Sequence, residues 1–295
     1  MGNSKNDKEG SIESDGFDWL SEFRINKNAA LNNNYIKVLI NNISETQIFM
    51  VDLGYLSFGR DFTFIHFDKI IPTNLILDAS TRTLESIKKC CENTNFADAY
   101  TLLRKYRDDL FYYLFVLTIL KDIDLLKNSD KDNLNKHEKF ILDWTEDKLS
   151  NLKSSEVLKA IGESEYLSSA IKKYDLQRSF EKMGAKLNNF VHSNGKSFYN
   201  EPLHRMGEKV EKYCKEFTQE LDYITVVFLF LLVLEMPHCV MSYDYVDYLD
   251  CGDTPLDGSQ YWVAPFVQEY LKKHKSLLDE NCDLYLKEET GMEFV

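Results

Sequence analysis

ADAYTLLRKYRDDLFYYLFVLTIL, residues 97–120, decides the fold class of this chain. Apolar residues recur in it at steps of three and four, the spacing of one helix face: Leu103, Tyr106, Leu110, Leu114 and Leu117. Its second half is apolar on every side, which is typical of a helix in the middle of a core. We therefore predict a long central helix that begins near Phe96.

Helical periodicity continues along the chain after Pro72. We predict further helices over 74–91, 136–152, 156–174, 177–191, 204–236 and 265–289. The chain has only 12 Gly and 5 Pro in 295 residues, about half the usual share of such residues. Turn-forming residues are therefore too few for an all-β protein, and the sequence predicts a mainly α protein, a multi-helix bundle.

The N-terminal part differs from the rest of the chain in composition and in its hydrophobic pattern. Residues 1–16 are polar and predict a disordered leader. Between Tyr35 and Ile71 the short runs IKVLI, QIFMVDL and FTFIHF are β-branched or aromatic and are separated by turn residues, which predicts a few strands. The predicted organisation is a leader (1–16), a small mixed N-terminal segment that contains the strands (17–71) and a helical bundle domain (72–295).

Charge and cysteine content narrow the class of partner. The chain has 48 acidic and 35 basic residues and a net charge of −13, which argues against a protein that coats DNA. None of its six cysteines forms a CxxC pair, as expected of reduced thiols in the cytoplasm. The longest apolar run, Ile224–Leu234, has 11 residues and is too short to span a membrane, which takes about 18. We predict a cytoplasmic protein with no membrane partner and a buried helix at this run.

Common enzyme signatures are missing from the sequence. It contains no GxGxxG, GxxxxGKS, GxSxG or HExxH, so we predict no cofactor and no metal. Asp244, Asp247, Asp250 and Asp253 recur at every third residue, which is not the ligand spacing of a calcium loop. These aspartates are interpreted as a solvated acidic face.

The segment GAKLNNFVHSNGKSFYN, residues 184–200, is a candidate site. Asn188 and His192 are four residues apart and share a helix face, just before Ser193-Asn194-Gly195 ends the helix. A histidine in the last turn has a structural explanation, because it complements the helix dipole and binds the terminal carbonyls. The functional alternative is a ligand site: residues 171–196 carry six positive and two negative side chains, a charge of +4 that suits a phosphate group or an RNA strand.

A second candidate lies in the central helix. Arg104, Arg107 and Asp108 share one face, and Arg107 is at the edge of the apolar stripe. The structural interpretation is an Arg104–Asp108 ion pair with Arg107 bridging to a neighbouring helix. The functional one is a rigidly held cation that recognises phosphate.

Together, LLRKYRDDLFYYLF and the later LNNFVHSNG resemble the HEPN superfamily, all-α proteins found among toxins, abortive-infection effectors and other phage-defence components. The resemblance covers roughly Asn74 to Asn200 and is clearest in about thirty residues. Active members are metal-independent endoribonucleases with an Arg-x4–6-His motif, and His192 matches its histidine. The matching arginine position holds Lys186, which keeps the charge but lacks the planar fork.

The resemblance implies a mechanism for the site. His192 would act as general base or acid, and Lys186 or Arg107 would stabilise the charge of the phosphate. Asn188 would orient the substrate or the imidazole. Further binding residues would be Arg104, Asp108, Lys182 and Asn189, and two half-sites would meet across a homodimer. We also expect Arg107 and His192 to lie on adjacent antiparallel helices, about one water-bridged contact apart.

Three functions stay open at this point. The first is an endoribonuclease or toxin of HEPN-like type in prokaryotic phage defence. The second is a non-catalytic helical module that binds RNA, a nucleotide or a protein. The third is an interaction protein in which His192 and Arg107 are structural.

Overall fold

A computed structural model describes residues 32–58, 64–66, 69–71, 73–121, 134, 136–148, 154–195 and 209–294. These residues form eleven α-helices and one two-stranded antiparallel ribbon. The elements are α1 (Asn34–Ser57), β1 (Phe64–His66), β2 (Lys69–Ile71), α2 (Asn74–Glu92), α3 (Phe96–Lys121), α4 (Lys136–Thr145), α5 (Ser154–Gly162), α6 (Ser168–Lys173), α7 (Leu176–Val191), α8 (Lys209–Glu235), α9 (Asp244–Asp250), α10 (Pro265–His274) and α11 (Cys282–Thr290). The predicted leader, residues 1–16, lies outside the described residues.

The predicted strands between Tyr35 and Ser57 are wrong, because this stretch is the helix α1. The run IKVLI alternates in a way that would bury Val38 in a strand, yet Val38 is 64% exposed while Leu39 and Ile43 are fully buried. Asn33 caps the helix: its Oδ1 accepts hydrogen bonds from the backbone N–H groups of Tyr35 (2.9 Å) and Ile36 (3.3 Å). Burial therefore follows the helical repeat here, although these side chain types favour strands.

The two strands that the structure describes are short. β1 and β2 pair antiparallel, with Phe64 opposite Ile71 and His66 opposite Lys69. α1 shares one hydrophobic core with the helices after Pro72, so the predicted segments 17–71 and 72–295 are in contact along this helix.

The core is built on α3 and α8, whose C-terminal parts are apolar on all sides. Nearly every residue of 110–120 and 224–234 is buried, as predicted for both stretches. The helices meet where the hydroxyl groups of Tyr106 and Thr225 are 2.9 Å apart and the rings of Tyr113 and Phe228 are 6.0 Å apart. α2, α4, α5 and α7 pack against α3, and α1, α10 and α11 pack against α8.

α8 is long and apolar enough to cross a membrane by length and composition. However, 78% of its most apolar window is buried inside the protein. Most of its apolar side chains are therefore part of the hydrophobic core.

Two predicted helices are each broken into two. The helix predicted over 156–174 divides into α5 and α6, and Asp175, with a left-handed φ of 48°, separates α6 from α7. The helix predicted over 265–289 divides into α10, which starts at Pro265, and α11. Residues 163–167 and 275–281 separate the parts, although the apolar periodicity runs on.

Candidate functional site

The two candidate segments form a pair of packed antiparallel helices, α3 and α7. Tyr100 stacks on Phe190 with ring centroids 4.5 Å apart, and Phe111 makes an edge contact with Phe180 at 4.4 Å. Between these contacts, Arg107 crosses α7 at Gly184: a Cβ at that position would lie 3.1 Å from Arg107 Nη1. Glycine therefore lets the guanidinium approach the α7 backbone.

Arg107 is buried and paired within its own helix. Its side chain is 7% exposed, and its Nε and Nη2 donate to Asp108 Oδ1 at 3.0 and 2.6 Å. The other carboxylate oxygen of Asp108 lies 3.5 Å from Arg104 Nε. One carboxylate thus pairs with both arginines that the sequence analysis proposes for phosphate binding.

Lys186 is also neutralised, by two glutamates of α8. Its Nζ lies 3.3 Å from Glu216 Oε2 and is hydrogen-bonded to Glu220 Oε1. Burial acts to lower the pKa of Lys186, but the hydrogen bonds and charges of Glu220 and Glu216 outweigh it and raise this pKa. The lysine at the arginine position of the motif is therefore a partner of α8.

His192 is exposed at the end of α7. Its backbone N–H donates to the Asn188 carbonyl at 3.0 Å, and the chain then turns through Ser193 (φ 52°) and Gly195 (φ 74°), which both adopt the left-handed conformation. The His192 side chain has no hydrogen bond or ion pair with any described residue. Asn188 differs, because its Oδ1 is buried and accepts no hydrogen bond.

Arg107 and His192 are not in the contact that the sequence predicts. Arg107 lies level with Gly184, and eight residues of α7 separate that level from His192, an axial distance of about 12 Å at 1.5 Å per residue. Arg107 also lies against the buried face of α7, whereas His192 is exposed. The structure therefore does not bring the two side chains into one cleft.

What the structure does bring together is a stripe on the solvent face of α7. Its members follow each other at steps of four, three, four and three residues: Arg178, Lys182, Ala185, Asn189 and His192. Four of the five are exposed and Asn189 is half-buried. We call this set the α7 stripe.

The cations of the α7 stripe are weakly compensated. Arg178 is 85% exposed and 3.8 Å from Asp175, and Lys182 has no ion pair with a described residue. The nearest other acid on the helix, Glu181, accepts from Gln177 at 3.1 Å. The stripe is about 21 Å long at 1.5 Å per residue and presents two cations, an amide and an imidazole to solvent.

Sequence reasoning missed a buried polar cluster between α1, α8 and α10. Asp222 accepts a hydrogen bond from Asn42 Nδ2 at 2.9 Å and lies 3.4 Å from His274 Nδ1. Burial raises the pKa of Asp222 to about 6, and burial lowers the pKa of His274 to about 4. Asn42 and Asp222 are 180 residues apart in the sequence, so no local motif predicts this cluster.

Other sites for a ligand are few in the described part of the chain. No group of three or more His, Cys, Asp or Glu residues there could hold a metal ion. An open cleft of about 380 Å³ between α3, α4 and α5 is lined by Phe115, Phe140, Lys159 and Glu163, among others. None of the predicted site residues lines this cleft.

Comparisons with known proteins add no relative. No protein-family model, no curated protein and no solved structure matches this chain.

Proposed function

We propose that this chain is a non-catalytic helical binding module whose ligand is single-stranded RNA, bound along the α7 stripe. One observation carries the proposal: Lys182, Asn189 and His192 share one solvent face, and none of their side chains is engaged by another described residue. Phosphate contacts from such side chains supply most of the affinity of RNA-binding surfaces that lack sequence preference.

The charge distribution favours this face over others. Residues 171–196 carry +4, although Glu216 and Glu220 engage one of these cations, Lys186, and the remainder of the chain carries −17. A polyanion is repelled by that remainder and meets least repulsion at α7. The stripe, about 21 Å long, is long enough to contact a few nucleotides of a single strand.

The pairing of the other cations supports a role without catalysis. Cleavage of RNA requires proton transfer and a cation that stabilises the charge of the phosphate. Arg107 and Arg104 are bound to Asp108, and Lys186 is bound to Glu216 and Glu220. The three cations that the sequence analysis offers as partners of His192 are therefore all engaged by carboxylates.

Binding of a labelled single-stranded RNA, followed by fluorescence anisotropy, tests the proposal. Arg178→Ala/Lys182→Ala should weaken binding about tenfold, since each lost phosphate contact removes part of the electrostatic affinity. The matched control is Arg82→Ala/Lys272→Ala, which removes the same two charges from exposed positions on α2 and α10. Equal weakening by both pairs would contradict the proposal.

The second candidate is the endoribonuclease or toxin of HEPN-like type, proposed from the resemblance in 74–200. The exposure of His192 favours it, because two copies that meet at this end of α7 would bring together two imidazoles, one as base and one as acid. It requires the homodimer that the resemblance implies and would place the protein in phage defence.

Cleavage of a labelled RNA without added metal separates the two candidates. The binding module predicts no cleavage by the wild type or by His192→Ala, and weaker RNA binding by the variant because His192 belongs to the α7 stripe. Cleavage that is lost in His192→Ala at an unchanged melting temperature would favour the endoribonuclease.

A further inference from the structure

The cleft between α3, α4 and α5 is a cavity of ligand size that the proposed function does not use. Its volume is about 380 Å³, near the lower end of the roughly 300–1,000 Å³ that small-molecule sites occupy. Phe115 and Ile119 of α3, each 5% exposed, line it together with Phe140 of α4. These three side chains border one continuous space, so the cleft has an apolar surface on which a small molecule can pack.

Contacts within the chain hold the sides of the cleft in place. The rings of Phe115 and Phe140 make an edge contact with centroids 4.7 Å apart, which joins α3 to α4. At the end of α5, Ser164 Oγ donates to Glu235 Oε2 at 2.9 Å, and Glu235 is only 2% exposed. Lys121 Nζ donates to the backbone carbonyl of Glu235 at 3.0 Å. The cleft is therefore formed before any ligand binds, as small-molecule sites usually are.

One polar group in the lining has no partner. Thr118 is a cleft residue of α3, 9% exposed, and its Oγ1 is buried and makes no hydrogen bond with a described residue. A helical threonine can satisfy its hydroxyl at the carbonyl one turn earlier, as Thr225 does at Leu221 (2.9 Å). The two χ1 rotamers of such a threonine exchange its hydroxyl with its methyl group. A polar atom of a ligand in the cleft can therefore take the hydrogen bond that the chain leaves unmade.

The charged side chains of the lining balance each other. They are two lysines and two glutamates: Lys136, Lys159, Glu156 and Glu163. Lys159 and Glu163 lie one helical turn apart, since the Glu163 N–H donates to the Lys159 carbonyl at 3.1 Å. Both are exposed, and neither forms an ion pair with the other or with another described residue. Lysine four residues before glutamate is the weaker order for a helical ion pair. Free charges of both signs at one cleft match a molecule that carries both.

We propose that this cleft binds a free amino acid with a large apolar side chain. The side chain packs on Phe115, Ile119 and Phe140, while the carboxylate pairs with Lys159 and the ammonium group with Glu163. A phosphorylated ligand does not fit, because two glutamates offset the two lysines of the lining. None of these residues belongs to the α7 stripe, so the proposal does not depend on RNA binding.

Titration calorimetry of the full chain with three related compounds tests the ligand class. L-Phenylalanine should bind with a Kd at or below about 1 mM. 3-Phenylpropanoate lacks the ammonium group and 2-phenylethylamine lacks the carboxylate. Each should bind about two- to fivefold more weakly than L-phenylalanine, the value of one partly exposed ion pair.

Variants of the cleft assign each charge to its partner. Lys159→Ala should raise the Kd of L-phenylalanine about two- to fivefold but leave that of 2-phenylethylamine unchanged. Glu163→Gln should weaken L-phenylalanine to the same extent and leave 3-phenylpropanoate unchanged. Ala160→Trp, at a half-buried position of the lining, should fill the cleft and abolish binding at an unchanged melting temperature. The matched control Lys37→Ala/Glu280→Gln removes one exposed charge of each sign from other surfaces and should have no effect.

Three results would overturn the proposal. The first is that L-phenylalanine does not bind at about 10 mM. The second is that the folded Ala160→Trp variant binds it as well as the wild type does, which moves the ligand to another surface. The third is that all three compounds bind equally and Lys159→Ala and Glu163→Gln change nothing, which reduces the site to an unselective apolar cleft.

Discussion

At the scale of single residues, the cations of this protein divide into engaged and free ones. Arg107 and Lys186 are engaged by carboxylates of the same chain, whereas Lys182 faces solvent without an ion pair to a described residue. A buried guanidinium cannot shed its charge, so Asp108 is needed for Arg107 to be buried at all. Arg107 is on this account a packing residue of the α3–α7 contact.

Substitutions in this pair should be strongly asymmetric. Asp108→Ala leaves a buried cation without its counter-ion and should lower the free energy of unfolding by about 2–4 kcal/mol. Arg107→Met removes the cation but fills the same space, and should cost less than about 1.5 kcal/mol. Urea unfolding of both variants checks this, with Arg104→Ala, at a half-exposed side chain, as a control that should cost below about 1 kcal/mol. Equal costs for Asp108→Ala and Arg107→Met would contradict the account.

Asp222 and His274 should make opposite contributions to the pH dependence of the free energy of unfolding. The raised pKa of Asp222 stabilises the folded state below about pH 4, and this contribution is lost as the pH rises through about 6. The lowered pKa of His274 does the reverse: its contribution is present above about pH 6.5 and is lost as the pH falls through about 4. Between pH 4 and 6 the two slopes largely cancel in the wild type.

Single variants should reveal each slope. His274→Gln should become more stable relative to the wild type as the pH falls from 6 to 4, and Asp222→Asn should become more stable relative to it as the pH rises over the same range. Each change is at most about 3 kcal/mol, at 1.36 kcal/mol per pKa unit. Urea unfolding at several pH values measures this, and variants that both keep the wild-type profile would show that the two groups do not titrate as inferred.

At the scale of elements, α1 shows where a single sequence misleads. Its side chains favour strands locally, but burial of Ile36, Leu39 and Ile43 on one face sets the helical period. The partners for that face lie on α2 and α8, far along the chain, so the local pattern cannot reveal them. By contrast α3 and α8 were predictable, since their apolar runs leave no alternative to burial in a core.

The N-cap of α1 can be tested by substitution. Asn33→Ala removes the acceptor for two backbone N–H groups and should cost about 1 kcal/mol of the free energy of unfolding. Asn41→Ala, at an exposed interior position of the same helix, should be neutral or slightly stabilising because alanine favours helix. Thermal or urea unfolding measures both, and an Asn33→Ala variant as stable as Asn41→Ala would mean that the cap does not hold the helix.

The same contrast between local and distant contacts applies to the site. The Arg104–Asp108 pair follows from their i, i+4 spacing and is present at 3.5 Å. The engagement of Lys186 by Glu216 and Glu220, about thirty residues further on, depends on how α7 and α8 each pack on α3, and no spacing rule gives it. The exposed side of α7 could be read from the sequence once Phe180, Leu187 and Phe190 were assigned to the core.

At the scale of the whole molecule, an acidic helical bundle with a net charge of −13 carries weakly compensated cations along the α7 stripe. The predicted cytoplasmic location and homodimer stay predictions. The central claim is that the α7 stripe, and not a composite of Arg107 and His192, is the ligand-binding face.

The salt dependence of RNA binding tests that claim most directly. The logarithm of the association constant should fall linearly with the logarithm of salt concentration, by about 0.7 per phosphate contact on a single strand. Arg178→Ala/Lys182→Ala should therefore make the slope shallower by about 1.4 relative to the wild type, whereas Arg107→Met should leave it unchanged. An unchanged slope in the first variant would contradict the account. A shallower slope in Arg107→Met, at an unchanged melting temperature, would contradict it as well.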